Sequence, residues 1–417
     1  MSAEALRTQP KRINTPATNG DRLWNDIVTT ARFGGTDKGG VTRLTLTEED
    51  RQVRDWFVGE CRALGCSVEV DGIGNIFATY PGEDMALPAI AVGSHLDTQP
   101  QGGRFDGILG VLAGVEILRT LKETSTRLRR PLTVVNWTNE EGSRFSPAMM
   151  GSGVFADALS LDAAHALSDR EGVTVGAALD AIGYRGRGTL EATALAAYVE
   201  LHIEQGPLLE ASATEIGVVT GIQGLRWFDV VITGTEAHAG STPMAQRDDA
   251  LVAAAEIVLA VRDIARENPP GVGTVGFVEV GPNSRNVVPG SVRLQIDMRH
   301  PSEAGLDRME TALQDAVRKA GANAELKCVW SKAPVVFDPS IVDAVRHSAD
   351  ALSYSATDVI SGAGHDAAHI ATITPTAMIF VPSKDGLSHN EAEYTAPEEC
   401  ARGAEVLFQT ILELDRR

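Results

Sequence analysis

Cysteine is scarce: the 417 residues hold four, Cys61, Cys66, Cys328 and Cys400, and no two of them form a CxxC pair. This excludes a disulfide framework and a zinc knuckle, and the four are expected to be buried free thiols packing as small hydrophobes. Long apolar runs are missing too. No stretch approaches the roughly 18 apolar residues needed to span a bilayer, and the opening MSAEALRTQPKRINTPATNG has no apolar h-region. A membrane partner and a secretory signal are therefore not expected, residues 1–20 read as a flexible tail, and the cytoplasm is the expected compartment. Positive charge is in deficit: 37 Lys and Arg against 56 Asp and Glu leave a formal charge of −19. Such a surface repels a nucleic-acid backbone or an anionic membrane, so neither is expected as a partner.

The length exceeds what a single hydrophobic core usually serves, which predicts a larger and a smaller domain. Over residues 44–132, helix-period and buried-strand patterns alternate: a periodic segment at 51–64, strands at 67–70, 75–79 and 88–92, a helical stripe from Ile108 to Leu121, then a strand at 132–137. Buried strands alternating with helices predict an α/β layered domain, with its chemistry beyond the carboxyl ends of the strands. After Ile216 the order changes to strand (227–232), helix (250–265), strand (273–280), strand (291–297), helix (303–320), strand (324–329). That β-α-β-β-α-β order is ferredoxin-like. The α/β pattern then resumes with a strand at 377–381 and a helix at 397–414, for which Thr395 and Glu398 offer a capping box. The smaller domain, 216–331, is thus an insertion into a larger one made of 21–215 and 332–417.

The polar clusters fall where strands end. His95 and Asp97 close AIAVGSHLD, Asp106 precedes a helix, Glu140 and Glu141 follow VVNWTN, His202 and Glu204 lie in YVELHIEQG, and His389 lies in GLSHNE after the strand ending at Val381. Imidazole and carboxylate without thiolate suit zinc, manganese, cobalt or nickel. Any one of these residues alone is more simply a core or surface group; the five clusters together make a metal-site candidate. The adjacent acids Glu140 and Glu141 repel one another, which a cation relieves, and one of them can bind metal while its neighbour serves as base.

Nine segments carry a resemblance: GSHLDTQPQGGRFDGILGVLAG, TNEEGSRF, MMGSGVFA, ELHIEQGPLLE, TEAHAGSTPM, NSRNVVPG, DMRHP, SGAGHDAAHIA and GLSHNEAEYT. In order and spacing, from about residue 12 to the C-terminus, the chain resembles the N-carbamoyl-L-amino acid amidohydrolases, a group that includes β-ureidopropionases and allantoate amidohydrolases. The wider clan holds dinuclear-metal aminopeptidases, carboxypeptidases and acylases, in which the position of His202 is usually Asp. The resemblance implies an α/β catalytic domain with a mixed sheet and an inserted ferredoxin-like βαββαβ lid and dimerisation domain. It implies two divalent metal ions (Zn, Mn, Co or Ni), with His95 and His202 on one, Glu141 and His389 on the other, and Asp106 bridging. Asp97 would hold the His95 imidazole, and Glu140 would move protons. Asn286 and Arg299 would bind the substrate carboxylate, Gln205 and the Gly362 to His365 loop would contact substrate, and His238 would steady the oxyanion at a neighbouring subunit's metals, which implies a homodimer. The implied reaction releases ammonia and carbon dioxide from a small carboxylate-bearing ureido compound, an N-carbamoyl L-α-amino acid or N-carbamoyl-β-alanine, with allantoate as the alternative.

Competing patterns are weaker. His365 and His369 are spaced i, i+4 in HDAAH, but a single-zinc protease needs Glu where Asp366 stands. His165, His300 and His347 lack a carboxylate cluster and read as solvated. A peptidase or deacylase of the same clan, or a binding module that has lost its metals, shares the fold. No GxSxG elbow marks a serine hydrolase, and Gly102, Gly103 and Gly107 lack the GxGxxG spacing after a strand that would mark a dehydrogenase.

Overall fold

The computed structural model describes residues 16–187, 195–321 and 323–417. The expected tail, residues 1–20, lies outside the described residues up to residue 15. Thr18 and Asn19 are anchored: the Thr18 amide and hydroxyl donate to Glu405, and the Asn19 amide donates to Glu116. By contact the chain forms two compact units, Met1–Val218 with Pro339–Thr357 and His365–Arg417, and Val219–Asp338 with Asp358–Gly364.

In the first unit, strands run in the order Ser67–Val70, Ile76–Tyr80, Leu132–Trp137, Ala89–His95, Leu195–Ile203 and Thr376–Val381. The first two pair antiparallel and Ile76–Tyr80 is antiparallel to Leu132–Trp137, while Ala89–His95, Leu195–Ile203 and Thr376–Val381 run parallel to their neighbours. This is a mixed sheet. Ala89–His95, Leu132–Trp137 and Thr376–Val381 are buried along their whole length, as parallel strands covered on both faces must be. The helix Ile108–Glu123 is buried almost all round instead of along one stripe. It packs between the sheet and the helices Gly20–Thr30, Glu48–Leu64 and Pro397–Asp415. Glu116, fully buried in that helix, pairs with Arg22 at 2.6 Å. Gly110 lets the helix approach the sheet, since a Cβ there would lie 2.5 Å from the Leu201 carbonyl oxygen.

In the second unit four antiparallel strands lie in the order Ala324–Lys332, Gly224–Thr233, Ser291–His300, Val272–Gly281. With the helices Ala250–Glu267 and Glu303–Ala320 they alternate as β-α-β-β-α-β. One sheet face carries Phe228, Val230, Ile232, Leu294, Ile296 and Met298, which join helix residues such as Ile257, Val261, Met309 and Leu313 in one core. Each fully buried side chain of this kind stabilises by about 1.5–3 kcal/mol. The chain returns to this unit at Asp358–Gly364, beyond the expected 216–331, because the strand Ala356–Ser361 pairs with Ile216–Ile222.

Three local readings differ. His300 is buried, not solvated, because its Nδ1 accepts from the Ser302 amide at the start of Glu303–Ala320. Cys328 is exposed while the other three thiols are buried. The last helix starts from Ala396, whose amide donates to Glu399, while the Thr395 hydroxyl donates to the Pro382 carbonyl.

Candidate active site

Parallel strands end together, and their carboxyl ends carry the polar side chains that sequence patterning singles out. His95 is the last residue of Ala89–His95 and His202 the last but one of Leu195–Ile203. Glu140 and Glu141 follow Leu132–Trp137 through Asn139, which holds a left-handed φ of 59°. Asp106 sits one residue before the cap of Ile108–Glu123. That cap, Gly107, has φ +68°, and a Cβ on it would lie 2.3–2.4 Å from the His95 ring, so the imidazole can occupy its place only against glycine.

Asp106 is the centre of the cluster. Its Oδ1 lies 3.2 Å from His202 Nε2 and 3.5 Å from His95 Nε2; its Oδ2 lies 3.5 Å from His389 Nε2. His389 Nε2 is also 3.4 Å from Glu141. Two sets of donor atoms result, His95–Asp106–His202 and Asp106–Glu141–His389, each within 4.8 Å of one another and sharing one carboxylate. A third set, Glu200–His202–His365, meets the same limit, and the His202 and His365 rings stand 4.5 Å apart. Glu140 belongs to none of them and lies 3.5 Å from His95 Nε2.

The imidazoles are oriented by backbone. His95 Nδ1 bonds the Asp97 carbonyl at 2.9 Å and His202 Nδ1 the Ile203 carbonyl at 2.9 Å, which makes Nδ1 the donor in each ring and turns each Nε2 toward the Asp106 carboxylate. The Asp97 carboxylate was the expected partner of His95, but it stands 3.8 Å off and accepts the Glu140 and Glu141 amides, so it holds the acidic turn instead. Gln205, at a left-handed φ of 57°, donates to Asp106 Oδ2 at 2.7 Å. His389 is also left-handed, with φ 53°.

Negative charge is in excess here. Burial, with help from Asp366 and Glu141, pushes the Glu140 carboxyl well above the usual range, and burial with Asp106 does the same to Glu141. Asp106, despite its burial, is held well below by His202 and His95. Burial and the neighbouring His202 push His365 well down. Among the described residues no Lys or Arg pairs with Asp106, Glu140 or Glu141, whose ionic partners are imidazoles alone. A donor set of buried carboxylates and imidazoles without a balancing fixed cation fits a divalent metal.

Four contributors escape sequence reading. Ser388 donates to Asp106 Oδ2 at 2.8 Å, Glu393 accepts the Phe105 and Asp106 amides, Gln99 donates to Glu141, and Glu200 joins the third donor set. Ser388 and Glu393 flank His389, and Glu200 is two residues from His202 on one strand face, the only signals available. His369 lies on the short helix Ala367–Ile370 while His365 precedes it, so HDAAH does not form a helical pair.

The remaining expected residues belong to the second unit. His238 is exposed, and its Nδ1 accepts from the Gly240 and Ser241 amides, which leaves the proton on Nε2. Asn286 accepts from the Ser284 hydroxyl at 3.0 Å. Arg299 pairs with Asp297 at 2.8 Å and donates through Nη1 to the Gly362 carbonyl at 2.9 Å.

Residues 91–413 match the model of peptidase family M20/M25/M40. An N-carbamoyl-L-amino-acid amidohydrolase of Rhizobium meliloti is 46% identical, covering 95% of this chain and 96% of its own. A ureidoglycolate hydrolase of Oryza sativa is 34% identical over 93% of this chain and 83% of its own. The crystal structure of a hydantoinase/carbamoylase family amidase from Burkholderia multivorans superposes with a TM-score of 0.94 at 46% identity, covering 96% of this chain and 99% of the other. The chain therefore belongs to peptidase family M20/M25/M40, as a hydrolase of its N-carbamoyl-L-amino-acid amidohydrolase group.

Proposed function

We propose that the protein hydrolyses the ureido amide of a small N-carbamoyl amino acid, an L-α-amino acid or β-alanine, to the amino acid, carbon dioxide and ammonia. The observation that carries this reading is the Asp106 carboxylate, shared by two imidazole-carboxylate sets, with Glu140 beside them and in neither. His95 and His202 would hold one divalent ion, Glu141 and His389 a second, and Asp106 both. When bound, such a pair polarises a carbonyl and makes water more acidic; zinc, manganese, cobalt and nickel all suit the donors.

The chain's own residues do the rest. Glu140 takes a proton from the water that attacks the carbamoyl carbon and gives it to the departing nitrogen, a role open to it because it stands beside both donor sets and belongs to neither. Gln205 and Ser388, bonded to Asp106 Oδ2, keep that carboxylate in one orientation, and the Asp97 carboxylate fixes the turn that presents Glu140 and Glu141. Arg299 and Asn286 take the substrate carboxylate, with Gly362 and His365 as further substrate contacts. His238, with its proton on Nε2, offers a donor to a developing oxyanion.

We read the second unit as a ferredoxin-like lid and dimerisation domain. Leu251, Val252, Val258 and Leu259 support a homodimer through it: they recur on one face of Ala250–Glu267 and are 40, 54, 37 and 52% exposed. No helix among the described residues is long and apolar enough to cross a membrane, and the cytoplasm is our proposed location.

Ammonia release tests the reading, with N-carbamoyl-L-methionine, N-carbamoyl-β-alanine, allantoate and ureidoglycolate offered to chelated protein and to protein reloaded with manganese, cobalt or zinc. Metal-restored turnover of a carbamoyl amino acid is expected. Turnover confined to allantoate or ureidoglycolate would move the protein to that branch; none at all, with metal bound, would leave a peptidase or deacylase.

A further inference from the structure

The face of the second unit's sheet that carries no helices holds a groove of about 770 Å³. Register explains its lining. Phe228, Ile296 and Met298 point into the helix-packed core, so their neighbours Trp227, Asp297 and Arg299 point the other way, with Trp227 opposite Asp297 and Leu225 opposite Arg299. In Val272–Gly281 the pairing slips by one residue at Gly276, which sets Phe277 opposite Gln295 and on this same open face.

The groove has two chemically distinct parts. Its floor is aromatic: Trp227 and Phe277 line it and remain 42% and 39% exposed. Both rings are braced from outside, Trp227 by Trp330 at 4.6 Å between centroids and Phe277 by the Arg293 guanidinium at 5.8 Å. A ring held on one side and open on the other is a preformed platform for a flat apolar group. The other part is Arg299. Asp297 engages its Nε and Nη2, and the Gly362 carbonyl engages Nη1. Of five guanidinium N–H groups, these bonds leave one on each terminal nitrogen, free to donate to a carboxylate.

A ligand that satisfies both parts carries a carboxylate and a large apolar side chain on the same small skeleton. Resting on the amidohydrolase reading above, we propose that this groove is the side-chain subsite, with Trp227 and Phe277 as specificity-determining residues, and that the preferred substrates are N-carbamoyl α-amino acids with aromatic or other large apolar side chains. Glycine and β-alanine derivatives leave the platform bare, and the second ureido group of allantoate brings polar atoms against it that the aromatic faces do not satisfy.

Two readouts test this. In the metal-loaded protein, kcat/KM is measured for N-carbamoyl-L-phenylalanine and N-carbamoylglycine. The ratio is expected to exceed about tenfold, to fall by about tenfold in Trp227→Ala and Phe277→Ala, and to survive in Trp227→Phe. In the chelated protein, calorimetric binding of the same two compounds is expected to show the same gap and the same loss. A parent ratio near one, or proportional losses for both compounds in both alanine variants, overturns the subsite. If the parent releases no ammonia yet binds the phenylalanine compound about tenfold more tightly, with the gap lost in Trp227→Ala, the subsite stands and the amidohydrolase reading fails. If the binding gap is absent in the parent, the subsite fails whatever the turnover.

Discussion

Glu140 and Glu141 are neighbours in sequence with the same chemistry, and geometry alone separates the roles proposed for them. Glu141 lies 3.4 Å from His389 and shares a donor set with it; Glu140 lies 3.5 Å from His95 and is buried outside every set. A carboxyl that belongs to no donor set is the one proposed for proton transfer. Glu140→Gln keeps shape and removes the base, so kcat is expected to fall by about 10²–10⁴-fold. KM and the metal content by atomic absorption should change little. A variant that instead loses its metals would make Glu140 a ligand, and one that retains full turnover would remove it from the chemistry. Glu141→Gln should give the opposite pattern, with loss of metal accompanying loss of rate.

At the scale of elements, the site depends on the turn between Ala89–His95 and Ile108–Glu123. Gly107 brings the helix start against the His95 ring, with φ +68° and room for no Cβ. Gly107→Ala therefore meets a left-handed backbone that costs roughly 1–2 kcal/mol for other residues and a direct clash with a proposed ligand. Metal affinity is expected to fall by about 10–100-fold, with activity partly recovered at high metal concentration. Unchanged affinity would mean that the ring has somewhere else to go.

The same turn shows what patterning can and cannot reveal. His95, Asp106, Glu140, Glu141, His202 and His389 were legible because strand ends are marked by the close of an apolar run. Ser388, Glu393 and Gln99 were not, since each acts through hydrogen bonds to residues far away in sequence, and no period encodes that. Asp97 was identified as holding His95, but by its carboxylate instead of its carbonyl, because a residue's place in a motif does not say which of its oxygens faces the ring. His300 looked solvated because a histidine that accepts the amide of a helix's capping residue has no signature of its own.

Across the whole molecule, chemistry and stability are distributed unequally between the two units. Every residue of the three donor sets belongs to the first unit, while the second has a core of its own built from one sheet face and two helices. A ligand stabilises what it binds in the folded state, by RT ln(1 + [L]/Kd). Metal should therefore act on one unit and not on the other. Scanning calorimetry of chelated protein is expected to resolve two components. Re-addition of manganese or zinc at about 100 times its dissociation constant should stabilise one of them by about 2.7 kcal/mol and leave the other in place. The tryptophans assign them, since Trp227 and Trp330 lie in the second unit, whereas Trp24, Trp56 and Trp137 lie in the first. Replacing Trp24, Trp56 and Trp137 by phenylalanine gives a protein whose fluorescence reports the second unit alone, and its midpoint should not follow the metal. If both components rise together, the two units unfold as one, and metal bound among His95, Asp106, Glu141, His202 and His389 holds the whole chain.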